Sequence, residues 1–361
     1  MTENVNLCGL KREDFQTTIN GRKTDLYILR NRKGYEVAIS NYGGAVCAIM
    51  VPDKDGNVGN VIQGYANIQQ LLNAPEPFLS TLIGRWGNRI CKGQFTLNGK
   101  EYQLAINNGV NHLHGGPTGF HARVWDAKQM GPRSLALHRV SSYGEEGFTG
   151  EVDITVEFTW SDDNELILEY LASTNKKTII NLTHHAFFSL AGTADPTPTI
   201  DNQIMEINAD FYIPTDETAI PTGEILKVAG TPFDFRTPKP IGQDIDADDE
   251  QIKFGNGYDH NYVLNKKEEG ELSFAARITE PVSGRTLECY TTEPGVQLYT
   301  GNYLTGDYKG VNGATFPRRS AVCLECQHFP DSPNRPYFPS VVLNPGQRYK
   351  QKTVYKFGVA K

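Results

Sequence analysis

Glu151-Val152-Asp153-Ile154-Thr155-Val156-Glu157-Phe158-Thr159-Trp160 is the stretch that decides the fold class. Val152, Ile154, Val156 and Phe158 alternate with polar residues, so they share one face of an extended strand. Asp162-Asp163-Asn164 turns the chain, and Glu165 to Leu171 returns with the same period. The two runs read as an antiparallel hairpin. The same pattern recurs upstream. Phe95-Thr96-Leu97 and Glu101–Leu104 flank Asn98-Gly99, a dipeptide suited to a type I′ turn. Tyr35–Ser40 alternates, Asn41-Tyr42-Gly43-Gly44 turns, and Ala45–Val51 is continuously apolar up to Pro52, as in a strand buried on both faces. Asp53–Asn57 has the composition of another hairpin turn. Downstream, Gln203–Asn208, Leu272–Ile278, Thr286–Thr292 and Gln347–Phe357 fit strands. Asn67–Leu72 reads as one short helix with Asn67 as its cap. Sustained helical periodicity is missing, so the fold is all-β, a sandwich or a barrel.

The chain shows no repeat and no low-complexity linker. The Pro-rich segments 193–200 and 229–242 are short and read as loops within one domain over 25–361. A polar N-terminal arm and first-strand region, 1–24, precedes it. The acidic run Asp244–Glu250 reads as a solvated loop, because EF-hand spacing with its glycine is absent. With 35 basic and 42 acidic residues the formal charge is -7, and no basic stripe is laid out for phosphates. That argues against nucleic acid as a partner. Met1–Asn6 lacks the basic region and apolar run of a signal peptide. No window of about 18 apolar residues exists to span a membrane. The six cysteines are scattered and read as reduced thiols in a cytoplasmic protein. Cys323-Leu324-Glu325-Cys326 has CxxC spacing, but a lone pair is a weak zinc or redox signal.

Five stretches concentrate polar chemistry. They are Gly84-Arg85-Trp86-Gly87-Asn88-Arg89-Ile90, Asn111-His112-Leu113-His114-Gly115-Gly116, Asn181-Leu182-Thr183-His184-His185-Ala186-Phe187-Phe188-Ser189-Leu190, Gly257-Tyr258-Asp259-His260-Asn261-Tyr262 and Leu324-Glu325-Cys326-Gln327-His328-Phe329-Pro330-Asp331. Six of the eight histidines lie in them, which points to proton transfer or a metal. His112 and His114 flank a leucine, so both can face one zinc ion, although no H-E-x-x-H motif accompanies them. Gly115-Gly116 fits a tight turn, Arg89 a structural ion pair, and Asp259 a turn cap. Glu325 ends the apolar run Ala321-Val322-Cys323-Leu324. Desolvation there would raise its pKa, which suits a general base working near neutral pH. His184 and His185 are adjacent on an extended segment, so one faces a cavity and the other faces packing or solvent. Alternation does not say which.

Together these stretches resemble the aldose 1-epimerase (galactose mutarotase) family. Supporting pieces are Thr231-Pro232-Phe233-Asp234-Phe235, Thr292-Glu293-Pro294-Gly295-Val296-Gln297-Leu298-Tyr299-Thr300-Gly301-Asn302 and Phe338-Pro339-Ser340. The resemblance runs from about Tyr35 to Phe357. It implies a large antiparallel β-sandwich of the galactose mutarotase-like supersandwich kind, with few short helices, an open sugar cleft and no cofactor; no metal-ligating residue is assigned. It places His185 on the family's general acid, Glu325 on its general base and His114 on the histidine near the ring oxygen. Asn88, Arg89, Phe187, Asp259 and Gln297 fall on sugar-binding positions. His184 and Ser189 stand where the family usually has asparagine, and Cys326 where it has threonine. Trp86 and Gly87 also vary from the common pattern. None of these departures removes a catalytic group. The implied partner is a free monosaccharide such as galactose or glucose, handled by a monomer or weak homodimer. Three competing readings remain: a non-catalytic sugar-binding sandwich, a metal-dependent isomerase using His112, His114 and His185, and an epimerase for a modified sugar. No Lys/Arg cluster beside the motifs favours a phosphorylated substrate.

Overall fold

A computed structural model describes residues 6–360. Val152–Trp160 and Glu165–Thr174 pair antiparallel, with Val152 opposite Thr174 and Trp160 opposite Leu166. Val152, Ile154, Val156, Phe158 and Trp160 are all buried, as the alternation requires. Each such side chain contributes about 1.5–3 kcal/mol by leaving water. The hairpin belongs to a nine-stranded antiparallel sheet. Its strands run in the order Asp126–Gln129, Ser134–Ser141, Val152–Trp160, Glu165–Thr174, Tyr349–Val359, Arg285–Thr291, Ser273–Thr279, Ile204–Ile207 and Lys239–Pro240. The last long strand, Tyr349–Val359, lies between the early hairpin and Arg285–Thr291, so both halves of the chain share one sheet.

A five-stranded antiparallel sheet packs against it, in the order Leu226–Lys227, Phe211–Ile213, Asp259–Val263, Gly295–Tyr299 and Cys323–Gln327. Val296, Leu298, Leu324 and Cys326 point into the shared core with Leu168, Leu287, Cys289 and Tyr355. The Tyr355 hydroxyl donates to the Leu324 carbonyl at 2.7 Å, and Gln351 Nε2 donates to the Cys326 carbonyl at 3.0 Å. Those bonds hold the two sheets in register. Period-two alternation then turns Asp259, Gln297 and Glu325 to the opposite face of the smaller sheet. Gln297 lies directly across from Glu325, and Asp259 across from Tyr299.

A four-stranded sheet, Leu26–Arg30, Glu36–Ser40, Ala45–Pro52 and Val58–Asn60, completes the large layers. The apolar run at Ala45 is explained by two cores. Val46, Ile49 and Val51 enter the main one, whereas Ala45, Cys47, Ala48 and Met50 meet a second cluster with Cys8, Leu10 and Phe15. Residues 6–24 therefore pack, and include a hairpin of Thr17–Ile19 with Arg22–Thr24. Residues 1–5 of the expected arm lie outside the described residues.

Helices are few and short. Ile68–Leu72 is capped as read, with Asn67 Oδ1 accepting from the Gln70 N–H at 2.9 Å. Glu250–Gly255 had no sequence signal. Asp249, at the end of the acidic run, accepts from the Gln251 and Ile252 N–H groups, and Asn256 closes the helix in the left-handed region at φ 55°. Six residues are too few for periodicity to show. No helix among the described residues is long and apolar enough to cross a membrane.

Candidate active site

The paired histidines diverge. Thr183–His184 pairs with Leu82–Ile83, which fixes the extended backbone. His184 turns inward, its Nε2 lying 3.2 Å from the Gly44 carbonyl oxygen and its ring edge-on to Phe158. His185 turns to a cleft of about 670 Å³, a size typical of small-molecule sites. Its backbone is clamped on both sides. The His185 N–H donates to the Thr81 carbonyl at 2.9 Å, and the Ser80 N–H donates to the His185 carbonyl at 3.0 Å. The imidazole stacks on Phe187 at 4.7 Å and 11°, and meets Tyr299 and His114 edge-on. The Phe187 N–H is in turn held by the Ser80 hydroxyl at 3.1 Å. Phe187 is thus a fully buried platform under the imidazole.

Opposite stands Glu325. Its Oε1 lies 3.6 Å from His185 Nε2, and the residue is 2% exposed. Glu325 Oε2 and His185 Nδ1 have no hydrogen-bond partner among the described residues. Burial raises the Glu325 pKa well above the usual carboxyl range, and neighbouring Asp259 adds to the rise while Arg89 opposes it. Burial lowers the His185 pKa to about 3. Desolvation therefore favours the uncharged pair, with a shared proton held on the carboxyl rather than on the imidazole.

His114 lies on a turn with φ 49°. Its Nδ1 accepts the Asn88 N–H at 3.0 Å, while the His114 N–H donates to the Asn88 carbonyl at 3.1 Å. An accepting Nδ1 leaves the neutral ring's proton on Nε2, so His114 is a donor into the cleft. The Gly115-Gly116 turn is required by space as well as dihedral. A Cβ on Gly115 would sit 1.9 Å from the Gly84 carbonyl oxygen, and φ is 81°.

Arg89 makes no ion pair among the described residues, contrary to a structural role. Its Nε donates to Asn108 Oδ1 at 3.0 Å, and its backbone N–H is held by Asn88 Oδ1 at 2.8 Å. Its charge is felt by both Asp259 and Glu325. Asp259 Oδ1 accepts from Gln297 Nε2 at 2.9 Å, and Gln327 Nε2 reaches Gln297 Oε1 at 3.4 Å and Asn261 Oδ1 at 3.2 Å. This amide chain runs along one face of the smaller sheet and orients the Asp259 carboxylate.

The structure brings His114, His185, Glu325, Asn88, Arg89, Phe187 and Asp259 to one cleft, with Gln297 behind Asp259. It separates others. His112 is fully buried, its Nδ1 2.7 Å from the Ala105 carbonyl oxygen, so it does not share a metal with His114. His114, His185 and Glu325 do place ligand atoms within 4.8 Å of one another. The Asn88 N–H, however, leaves His114 with a protonated Nε2, the wrong form for a metal ligand on that side. Trp86 is fully buried in a satellite core with Ile90, Phe95 and Phe148 and does not line the cleft. His328 leaves the cleft altogether and pairs with Glu293 at 2.6 Å in a separate groove. Cys323 and Cys326, three residues apart on a strand, face opposite sides and cannot chelate one ion. The sequence reading missed Glu76, Phe78, Asn108, Glu217 and Tyr303, which also line the cleft.

Residues 25–356 match the family described as aldose 1-epimerase. The chain belongs to the aldose 1-epimerase family. It is 44% identical over 324 residues to the galactose mutarotase of Homo sapiens, covering 90% of this chain and 91% of that one. It is 35% identical over 341 residues to the aldose 1-epimerase of Escherichia coli, covering 94% and 96%. Among solved structures, an aldose epimerase homologue from C. elegans superposes with a TM-score of 0.85 at 29% identity, covering 94% of this chain and all of that one. The hairpin patterning left a sandwich or a barrel open, and the antiparallel sandwich that the resemblance implied is the architecture this aldose 1-epimerase family member has.

Proposed function

We infer that the chain interconverts the α and β anomers of free aldohexoses such as galactose and glucose, with Glu325 as base and His185 as acid. The observation that carries the reading is the 3.6 Å His185–Glu325 pair, buried on the floor of a polar cleft with an unsatisfied nitrogen and oxygen. A protein that only bound sugar would gain nothing from desolvating an acid and a base together.

The chemistry is balanced by one proton. Glu325 takes the anomeric O1 proton as the C1–O5 bond breaks, and His185 gives a proton to O5. The product is the open-chain aldehyde. Rotation about C1–C2 presents the other carbonyl face, and reclosure runs the transfers in reverse. The productive form of the pair is carboxylate with imidazolium. It differs from the resting form by moving one proton across 3.6 Å. Attraction between the two charges at that distance is about 5 kcal/mol at an effective dielectric of 20, which offsets much of the desolvation that opposes them. Arg89 stabilises the carboxylate, and hydroxyls of a bound sugar add donors to it. His114, fixed with its proton on Nε2, stabilises charge developing at the ring oxygen. Asp259, oriented by Gln297, together with Asn88 and Arg89, holds the sugar by its hydroxyls.

The six cysteines are free thiols, in keeping with a cytoplasmic setting, and one chain supplies every residue of the site. Polarimetry of freshly dissolved α-galactose tests the reading. The wild type should accelerate the approach to the equilibrium rotation, and folded Glu325→Gln and His185→Asn variants should not. Full activity in either variant overturns the assignment.

A further inference from the structure

Glu76 belongs to none of the groups used so far, yet it lines the same cleft as His185, Asp259 and Glu325. Its backbone is pinned from two sides by one hydroxyl. The Glu76 N–H donates to Tyr65 Oη at 3.3 Å, and that hydroxyl donates to the Glu76 carbonyl at 3.2 Å. Pro75 and Pro77 bracket it and restrict φ at both neighbours. Two residues on, the Phe78 ring rests edge-on against His114 at 4.8 Å and His121 at 4.6 Å. The segment that carries Glu76 is therefore stiff and is keyed to a catalytic-site histidine.

The carboxyl is half used. Oε1 accepts the Phe78 N–H at 3.2 Å, and Oε2 makes no hydrogen bond among the described residues. Partly buried, it shares the cleft wall with His185 and Glu325, and its charge is felt at Glu325, Tyr299 and Cys323. Burial pushes this carboxyl up to about 7. A further carboxyl is a burden in a cleft where one guanidinium, Arg89, already serves Asp259 and Glu325. It becomes useful when a hydroxyl donor arrives to fill the free oxygen.

We propose that Glu76 is a further substrate-contacting residue, its free carboxyl oxygen accepting a hydrogen bond from one hydroxyl of the bound aldose and so helping set which aldoses are accepted. This rests on the mutarotase reading of the cleft. The alternative is that Glu76 serves only as the acceptor that closes the turn at Phe78. Glu76→Gln separates the two, because an amide oxygen can still accept the Phe78 N–H while the charged acceptor is lost.

The test is kcat and KM of wild type and Glu76→Gln on galactose and on its 2-, 3-, 4- and 6-deoxy analogues, with thermal unfolding alongside. A substrate contact predicts a rise in KM of roughly tenfold on galactose, consistent with losing a charged hydrogen bond, with kcat and the unfolding temperature little changed. It also predicts one deoxy sugar on which the substitution has no effect, because the hydroxyl it would contact is already missing. Unchanged KM on every sugar, or an equal loss on all of them, overturns the proposal. Should the wild type fail to mutarotate any aldose, the enzyme reading falls. Calorimetric binding of galactose to wild type and Glu76→Gln then decides the contact on its own, with equal affinity refuting it.

Discussion

Replacing Glu325 by glutamine should remove catalysis and stabilise the fold at the same time. The carboxyl is 2% exposed, one of its oxygens is unpartnered, and burial holds its pKa well above the ordinary value. A raised carboxyl pKa contributes stability that is fully present below the unfolded value near 4.3 and is lost as pH rises toward the folded value. Each unit of that interval costs about 1.36 kcal/mol. A neutral amide of the same shape avoids that cost. At about 2.1 cal/mol/K per residue, the unfolding entropy of a 361-residue chain is about 0.75 kcal/mol/K, so each unit of that interval is worth about 2 °C in Tm. The gain should be smaller at pH 6 than at pH 7.5, while mutarotation falls by about 10²–10⁴-fold for loss of a general base. Differential scanning calorimetry at the two pH values, with polarimetry on the same preparations, measures both. A Glu325→Gln protein less stable than wild type at pH 7.5, or one whose Tm difference is the same at both pH values, would refute the view that this carboxyl is held against a desolvation cost.

Acid should unfold the protein early. Burial lowers His112, His121 and His184 to about 4, and His185 and His260 to about 3. Lowered histidine values contribute stability above about 6.5 that is lost as pH falls, so at pH 5 each costs about 2 kcal/mol and the five together approach a whole domain's stability. Circular dichroism should show a cooperative loss of structure near pH 5, and a chain fully folded at pH 4 would contradict it. Arg89→Met should cut kcat/KM by about 10²–10³-fold. Because the guanidinium lowers the Glu325 pKa, its loss should also move the rise of activity with pH to higher pH; an unshifted profile would show that Arg89 acts on the sugar alone. Gly115→Ala puts a Cβ on the Gly84 carbonyl at a φ of 81°, so it should displace His114 and lower activity at least tenfold, at a stability cost of about 1–3 kcal/mol. Near-normal rates in that variant would mean the turn yields easily.

Much of the fold was legible because a strand exposes its environment at period two. Val152 to Phe158 announced a half-buried strand, and the unbroken run Ala45–Val51 announced one covered on both sides, which the two separate cores explain. Hairpin turns at Asn98-Gly99 and Asp162–Asn164 were readable from the turn chemistry of their residues. Helix Glu250–Gly255 was not, because its cap is hidden in an acidic run and its length spans less than two turns. The site was legible in part. Adjacent histidines on an extended segment must diverge; alternation left the choice open, the family resemblance pointed to His185, and the pairing of His184 with Leu82 and its approach to Gly44 show why His184 faces inward. Asp259, Gln297 and Glu325 share a face by register across three strands distant in sequence, which no local pattern reveals. Glu76 and Asn108 sit in loops whose composition looks like ordinary turn-forming sequence. Their place in the cleft comes from the Tyr65 hydroxyl and the Arg89 guanidinium that reach them.

The claim at the centre is that Glu325 and His185 act as one proton-transfer unit. Polarimetric rates on α-galactose for wild type, Glu325→Gln, His185→Asn and the double variant test it directly. Groups that work as a unit are strongly non-additive, so the double variant should be within about threefold of the slower single variant. Losses that multiply in the double variant, or a wild type no faster than buffer, would contradict it.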